Sequence, residues 1–199
     1  MKTIDYYFTH TSPWSYLGHE RLVAMAAKHQ ATINLKPVDY GKIFPATGGV
    51  PLAQRPEQRK SYRLTELKRW QATLSVPLTL HPKHFPVAPQ AAALVALAAA
   101  DVSMDAGLAF SFASMRACWA EDRDISDAAT LDDIVTACGL EAAALRAKAE
   151  MPETAQRYAD LTDEALRRQV FGAPTYLYNN ELFWGQDRLD FLERALAAS

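Results

Sequence analysis

The sequence predicts an α/β fold in the order βαβ…ββα, interrupted by a large all-helical insertion. Three observations predict it. A β-prone segment, a helical period and a second β-prone segment follow one another between Thr3 and Asp39. From Gln90 to about Val170 the pattern is helical throughout. The chain then returns to two β-prone runs and one amphipathic helix.

The first strand is predicted over Thr3-Ile4-Asp5-Tyr6-Tyr7-Phe8, and the first helix over Tyr16 to Lys28, where Leu17, Leu22, Val23, Met25, Ala26 and Ala27 make a wide apolar face. Between them stands Thr11-Ser12-Pro13-Trp14-Ser15-Tyr16. Ser12 reads as the N-cap and Pro13 as the first helical residue, where a missing N–H costs nothing. A cap alone explains a Ser-Pro pair; a site at this strand-to-helix junction needs support from elsewhere in the chain.

Ile33, Leu35 and Val38 alternate through Ala31 to Asp39, with Pro37 marking an edge or the strand's end. Gly41 to Pro56 is rich in Gly and Pro without a sustained period and is expected to be a long loop beside the site. Glu57 to Leu74 regains helical spacing through Tyr62, Leu64, Leu67 and Trp70, with Arg59, Lys60, Arg63, Lys68 and Arg69 on its other positions. Such a basic face is ordinarily solvated.

Pro77, Pro82, Pro86 and Pro89 keep both helix and central strand out of Ser75 to Pro89. His81 and His84 on that connector lack the partners a metal site needs, and no metal is expected. Helical patterns follow at Ala91 to Ala100, Ala106 to Trp119, Leu131 to Cys138, Glu141 to Ala149 and Pro152 to Val170, with Asp101, Ser103, Ser126, Asp127 and Thr130 as candidate caps. Thr175 to Tyr178 and Glu181 to Trp184 then flank Asn179-Asn180, a pair that tolerates the positive φ of a two-residue hairpin turn. A last helix through Phe191, Leu192, Ala195 and Leu196 opens at Asp187, its expected cap. The resulting division is 1–45 plus 168–199 for the α/β part and 46–167 for the helical part.

With 199 residues, 49% of them hydrophobic, the chain can bury one sizeable core and a helical subdomain packed on it. A formal net charge of −2 offers no broad field for nucleic acid or an anionic membrane, which leaves a small molecule or a protein as partner. The first residues lack the apolar core of a signal peptide and the run Ala91 to Ala100 is too short to span a bilayer, so a cytoplasmic location is expected. Cys118 and Cys138 form no Cys-x-x-Cys pair and read as small core residues.

The element order is that of a thioredoxin-like fold holding a helical insertion, and the motifs extend the likeness. Ser12-Pro13-Trp14-Ser15-Tyr16-Leu17-Gly18, Tyr62-Arg63 with Glu66-Leu67-Lys68-Arg69-Trp70, Asp122-Arg123-Asp124-Ile125, Gly172-Ala173-Pro174-Thr175 and Phe183-Trp184-Gly185-Gln186-Asp187-Arg188-Leu189 together resemble the 2-hydroxychromene-2-carboxylate isomerases. These belong to the kappa-class glutathione transferase and DsbA-like superfamily. The likeness covers nearly the whole chain.

Redox members of that superfamily carry Cys-x-x-Cys where this chain has Ser12-Pro13-Trp14-Ser15. Disulfide exchange needs a thiolate attacking sulfur, and neither serine supplies one. A serine hydroxyl can instead donate to a thiolate carried by a ligand.

The resemblance implies glutathione as that ligand, Ser12 as the catalytic residue, and Ser12, Trp14, Lys60, Ala173, Pro174, Gln186 and Asp187 as its binding residues. It implies a cis peptide before Pro174, the cysteinyl backbone paired with Ala173, and the γ-glutamyl end on the N–H groups of Gln186 and Asp187. Kappa-class relatives commonly carry Ser in place of Gln186 and Asn in place of Gly49. Lys60, Arg59 and Arg63 are candidates to meet the carboxylate of an aromatic substrate. A homodimer is also implied. Two rival functions use the same residues: a transferase that conjugates electrophiles with glutathione, and a non-catalytic module that binds an extended peptide along the Pro174 edge.

Overall fold

A computed structural model describes residues 1–198. Its four-stranded sheet has the order β2-β1-β3-β4. The central β1 (Thr3–Phe8) pairs in parallel with β2 (Thr32–Pro37) and antiparallel with β3 (Thr175–Tyr178), which forms a hairpin with β4 (Glu181–Trp184). β1 takes the central place because it is apolar on both faces. Ile4, Tyr6 and Phe8 enter the principal core on one side, and Tyr7 enters a second cluster on the other. Pro37 ends the edge strand β2, where its missing N–H breaks no inner ladder.

The α/β framework expected from the sequence is the one observed. Helix α1 (Pro13–Lys28) crosses from β1 to β2, with Ser12 as N-cap and Pro13 at the first position. Asn179 (φ 49°) and Asn180 (φ 64°) make the hairpin turn with both residues at positive φ. The helical stretch comprises α3 (Glu57–Leu74), α4 (Gln90–Val102), α5 (Met104–Ala120), α6 (Ala128–Ala137), α7 (Ala142–Ala149) and α8 (Pro152–Arg167). Ser103 caps α5 and Asp127 caps α6, each accepting a backbone N–H three residues on. Asp101 instead pairs with Lys148 and Arg157, tying α4 to α7 and α8.

Two expectations are corrected. Tyr40–Thr47, all but its first residue in the Gly41 to Pro56 stretch read as a long loop, is a helix, α2. Asp39 caps it by accepting the Gly41 N–H at 2.8 Å, and Gly48 ends it at φ 77°. Pro45 lies near its C-terminal end and costs a single backbone bond, while Tyr40 and Ile43 bury against β1 and β3 beside Tyr7 and Leu177. Tertiary burial supports a helix too short for its period to be legible.

The second correction concerns the last helix. α9 (Leu189–Ala197) begins after Arg188, and no side chain caps it. Asp187 lies inside a separate 3₁₀ turn, Gln186–Arg188, where its carboxylate accepts the Arg188 guanidinium at 2.7 Å. Gly185, at φ 103°, turns the chain out of β4 and into that turn.

The sheet is covered on both faces. α1, α5 and α9 pack on the Tyr6 and Phe8 side, and α2 and α8 on the Tyr7 side. A polar clasp also joins α8 to the sheet: Lys36 reaches Asp5 at 3.1 Å and Glu164 at 2.7 Å, and the Tyr7 hydroxyl donates to Glu164 at 2.9 Å. Among the described residues no helix is long and apolar enough to cross a membrane.

Candidate active site

Ser12 stands where β1 hands over to α1. Its backbone is extended, and its Oγ accepts the Ser15 N–H at 3.2 Å, leaving the hydroxyl proton free to donate elsewhere. Pro13 has no N–H, and the Tyr16 N–H is taken by the Ser12 carbonyl at 3.1 Å. The Trp14 N–H therefore has no acceptor within the helix. A donor hydroxyl, an unused N–H and the positive end of a sixteen-residue helix meet at one point. That point is nearly closed to water, since Ser12 is 8% exposed.

The second wall of the site comes from β3. The Ala173–Pro174 peptide is cis, as the resemblance implied. Tyr7 faces Thr175 across the antiparallel pair, and one further step along that register sets Pro174 opposite Phe8, at the sheet end from which the chain runs to Ser12. The flanking backbone is held firmly. The Gly172 carbonyl accepts the Tyr40 hydroxyl at 2.7 Å and the Thr175 hydroxyl at 2.6 Å, and the Pro174 carbonyl accepts the Gly185 N–H at 2.9 Å. The N–H and carbonyl of Ala173 enter none of these bonds.

The third wall is the Gln186–Arg188 turn. Arg21 of α1 donates through one guanidinium nitrogen to the Gln186 side-chain oxygen at 2.6 Å and to its carbonyl at 3.2 Å. Gln186 is buried, so its side chain serves to lock the turn to α1. The first N–H groups of the turn have no acceptor inside it, and Asp187 stays exposed at the surface.

Ser12 and Trp14 thus lie on α1, Gln186 and Asp187 on a turn that Arg21 bonds to α1, and Ala173 and Pro174 on the segment that the Gly185 N–H ties to that turn. Lys60 does not join them by any hydrogen bond or ion pair among the described residues. It is half-buried in the first turn of α3, one turn from Arg63. The Arg63 guanidinium lies 5.7 Å from the centre of the Phe85 ring and 5.6 Å from that of Trp119. Burial and the nearby charge of Arg55 push its pKa down to about 10.

Cys118, by contrast, is buried, and burial together with Asp124 and Asp122 raises its thiol to about 12, far from a thiolate at neutral pH.

Two histidines escaped the sequence reading. His10, two residues before Ser12, is wholly buried against Phe8 and Phe110, and neither ring nitrogen has a hydrogen-bond partner. Burial and the neighbouring His19 push its pKa down to about 3. His19 donates from Nε2 to the Leu108 carbonyl at 3.1 Å, so its Nδ1 is the acceptor for the Tyr6 hydroxyl at 3.4 Å. Burial lowers its pKa to about 4, against that carbonyl bond, which raises it. The link between Arg21 and Gln186 was also missed. Its available signal was Gly18 and Arg21 at i and i+3, a small residue and a cation on one helix face.

The DSBA-like thioredoxin domain profile matches residues 3–197. A 2-hydroxychromene-2-carboxylate isomerase of Sphingobium xenophagum is 34% identical over 98% of both chains. One from Pseudomonas putida is 28% identical over 97% of this chain and 93% of its own. A solved 2-hydroxychromene-2-carboxylate isomerase superposes with a TM-score of 0.81 at 25% identity, over 98% of this chain and 95% of that one.

Proposed function

The chain belongs to the DSBA-like thioredoxin domain family and to its 2-hydroxychromene-2-carboxylate isomerase branch, and from that membership we propose a glutathione-dependent isomerase acting on 2-hydroxychromene-2-carboxylate and benzylidenepyruvate-type substrates. The names of the relatives support an isomerase. The dependence on glutathione is our reading of the site.

One observation carries that reading. Ser12 occupies the first-helix N-terminus facing a cis-proline strand, with Ser15 in place of a second cysteine, so the site can stabilise a thiolate and cannot exchange a disulfide. The remaining residues fit the rest of a thiol tripeptide. Ala173 offers an unused backbone N–H and carbonyl for a β-type pairing. The Gln186–Arg188 turn offers N–H groups to a carboxylate, and Asp187 a carboxylate to an amine.

The bound thiolate would supply reversible addition to the conjugated carbon, converting a double bond to a rotatable single bond before it leaves again. Ser12 donates its hydroxyl proton as a hydrogen bond to the sulfur, and the Trp14 N–H and the α1 dipole favour the same negative charge. Each pKa unit by which they lower the thiol is worth about 1.4 kcal/mol of thiolate stabilisation. Gly185 and Arg21 hold the Gln186 turn still, which fixes the peptide end relative to the sulfur. We take the working unit to be a homodimer located in the cytoplasm. Light scattering at micromolar concentration would then give twice the 22.1 kDa chain mass.

The deciding experiment incubates the protein with glutathione and a panel of hydroxychromene carboxylates and benzylidenepyruvates, followed by absorbance. Interconversion that needs glutathione but does not consume it supports the reading. Accumulation of a glutathione conjugate would reassign the protein as a transferase, and absence of any thiol-dependent conversion would discard both.

A further inference from the structure

Resting on the isomerase reading for the identity of its ligand, we propose that Arg63 receives the carboxylate of the aromatic substrate. Three cationic candidates lie on α3, and packing separates them. Arg59 is exposed, and Lys60 is half-buried with no aromatic contact. Arg63 alone among them stacks on two aromatic rings, those of Phe85 and Trp119, which are themselves 4.8 Å apart.

Arg63 is also a cation without an anion. It shares that with Arg59, Lys60 and Lys68 among the described residues of α3, whereas Arg69 pairs with Glu66 and Arg116 of α5 with Glu121 at 2.9 Å. What sets Arg63 apart is that it is unpaired and also packed on two rings. Among the described residues no carboxylate pairs with Arg63 or with Arg55, whose charge reaches it. A desolvated guanidinium facing another arginine is unfavourable unless an anion completes the group. A second orphan donor lies in the same stack. The Nε1–H of Trp119 has no hydrogen-bond partner either, but the ring is fully enclosed, so only the guanidinium above it is open to a ligand. A carboxylate is the partner that the Arg63 guanidinium lacks.

The position suits the chemistry. α1 and α5 run antiparallel: His19 meets Leu108 and Phe112, while Tyr16, one turn nearer Ser12, lies under the charges of Arg116 and Glu121. The C-terminal turn of α5, which carries Trp119, therefore lies toward the Ser12 end of α1. The Tyr16 hydroxyl donates to the Pro77 carbonyl at 2.9 Å and the Thr79 N–H to the Trp119 carbonyl at 2.6 Å, bringing the connector that bears Phe85 to the same end.

The test separates this inference from the isomerase reading by using trans-cinnamate as a binding probe and methyl cinnamate as its neutral counterpart, in calorimetry with glutathione present. Arg63→Met is expected to weaken cinnamate about 10- to 100-fold, the scale of one charge-assisted contact, and to leave the ester unchanged. Arg63→Lys keeps the charge, loses the stacked fork and is expected to weaken cinnamate about 3- to 10-fold. Arg69→Gln removes the same formal charge from the same helix and is expected to shift it by less than about 2-fold. Unchanged cinnamate affinity in a folded Arg63→Met, or in Arg63→Lys should the former not fold, overturns the proposal. So does absence of cinnamate binding to the unaltered protein. Arg63-dependent binding without any turnover of a hydroxychromene carboxylate would keep the anion site and discard the isomerase.

Discussion

Gly18 of α1 is pressed against Gln186: a Cβ placed on Gly18 would stand 2.8 Å from the Gln186 Cβ and 2.8 Å from the Tyr176 hydroxyl. The contact lets Arg21, on the same helix face, grip the Gln186 turn. Gly18→Ala gains helix propensity of about 1 kcal/mol and forces the turn away, an overpacking cost of about 1–3 kcal/mol. We expect a net loss in melting temperature together with weaker glutathione binding by calorimetry. A melting temperature above that of the unaltered protein would show that the turn yields without cost.

Ser12→Ala removes a cap worth about 0.5–2 kcal/mol and, in the proposed mechanism, the donor to the thiolate. Turnover is expected to fall by about one to three decades, with a smaller change in glutathione affinity, because the lost bond acts on the sulfur and not on the peptide arms. Ser15→Ala provides the contrast, since Ser15 is fully buried behind the cap. Equal loss of turnover in the two variants would place the site wrongly.

Acid is expected to destabilise the fold through His10 and His19. Their folded pKa values, about 3 and about 4, lie below the ordinary value of 6.5, so the unfolded chain takes up protons first as the pH falls. Their contribution is complete above about pH 6.5 and declines below it, by roughly a kcal/mol per pH unit for each histidine. The decline ends near pH 4 for His19 and near pH 3 for His10. Denaturant melts between pH 7 and 4 read this slope, and His10→Phe, which also removes two unpartnered nitrogens, is expected to flatten it.

Lys36→Met would leave the Asp5 and Glu164 carboxylates facing each other across β1, β2 and α8 without their shared cation. The three side chains are largely shielded from solvent, so a loss of about 2 kcal/mol is expected, less than for a fully buried pair. The discriminating readout is salt. A pair this enclosed is expected to keep most of its contribution in 1 M NaCl, whereas an effect that vanishes there would mark it as a surface bridge.

Much of this protein was legible in one dimension. Strands β1, β3 and β4, helix α3, the Ser12 cap and the Asn179-Asn180 turn follow from side-chain period and local backbone preference, which act over a few residues and leave their mark in the sequence. Serine at both positions of the Ser12-Pro13-Trp14-Ser15 motif likewise excluded disulfide exchange before any fold was known. Other features needed the tertiary structure, because they depend on which distant segments meet. Helix α2 exists because Tyr40 and Ile43 find a face on the sheet, not because its eight residues carry a period. Asp187 lost its capping role because Gly185 tightens the chain into a separate turn before α9 begins. Nothing local distinguishes Arg63 from Arg59 four residues earlier; the difference is made by Phe85 and Trp119, which the fold brings beneath one of them and not the other. Burial and long-range contact decide the electrostatics of a side chain, and both belong to the folded chain alone.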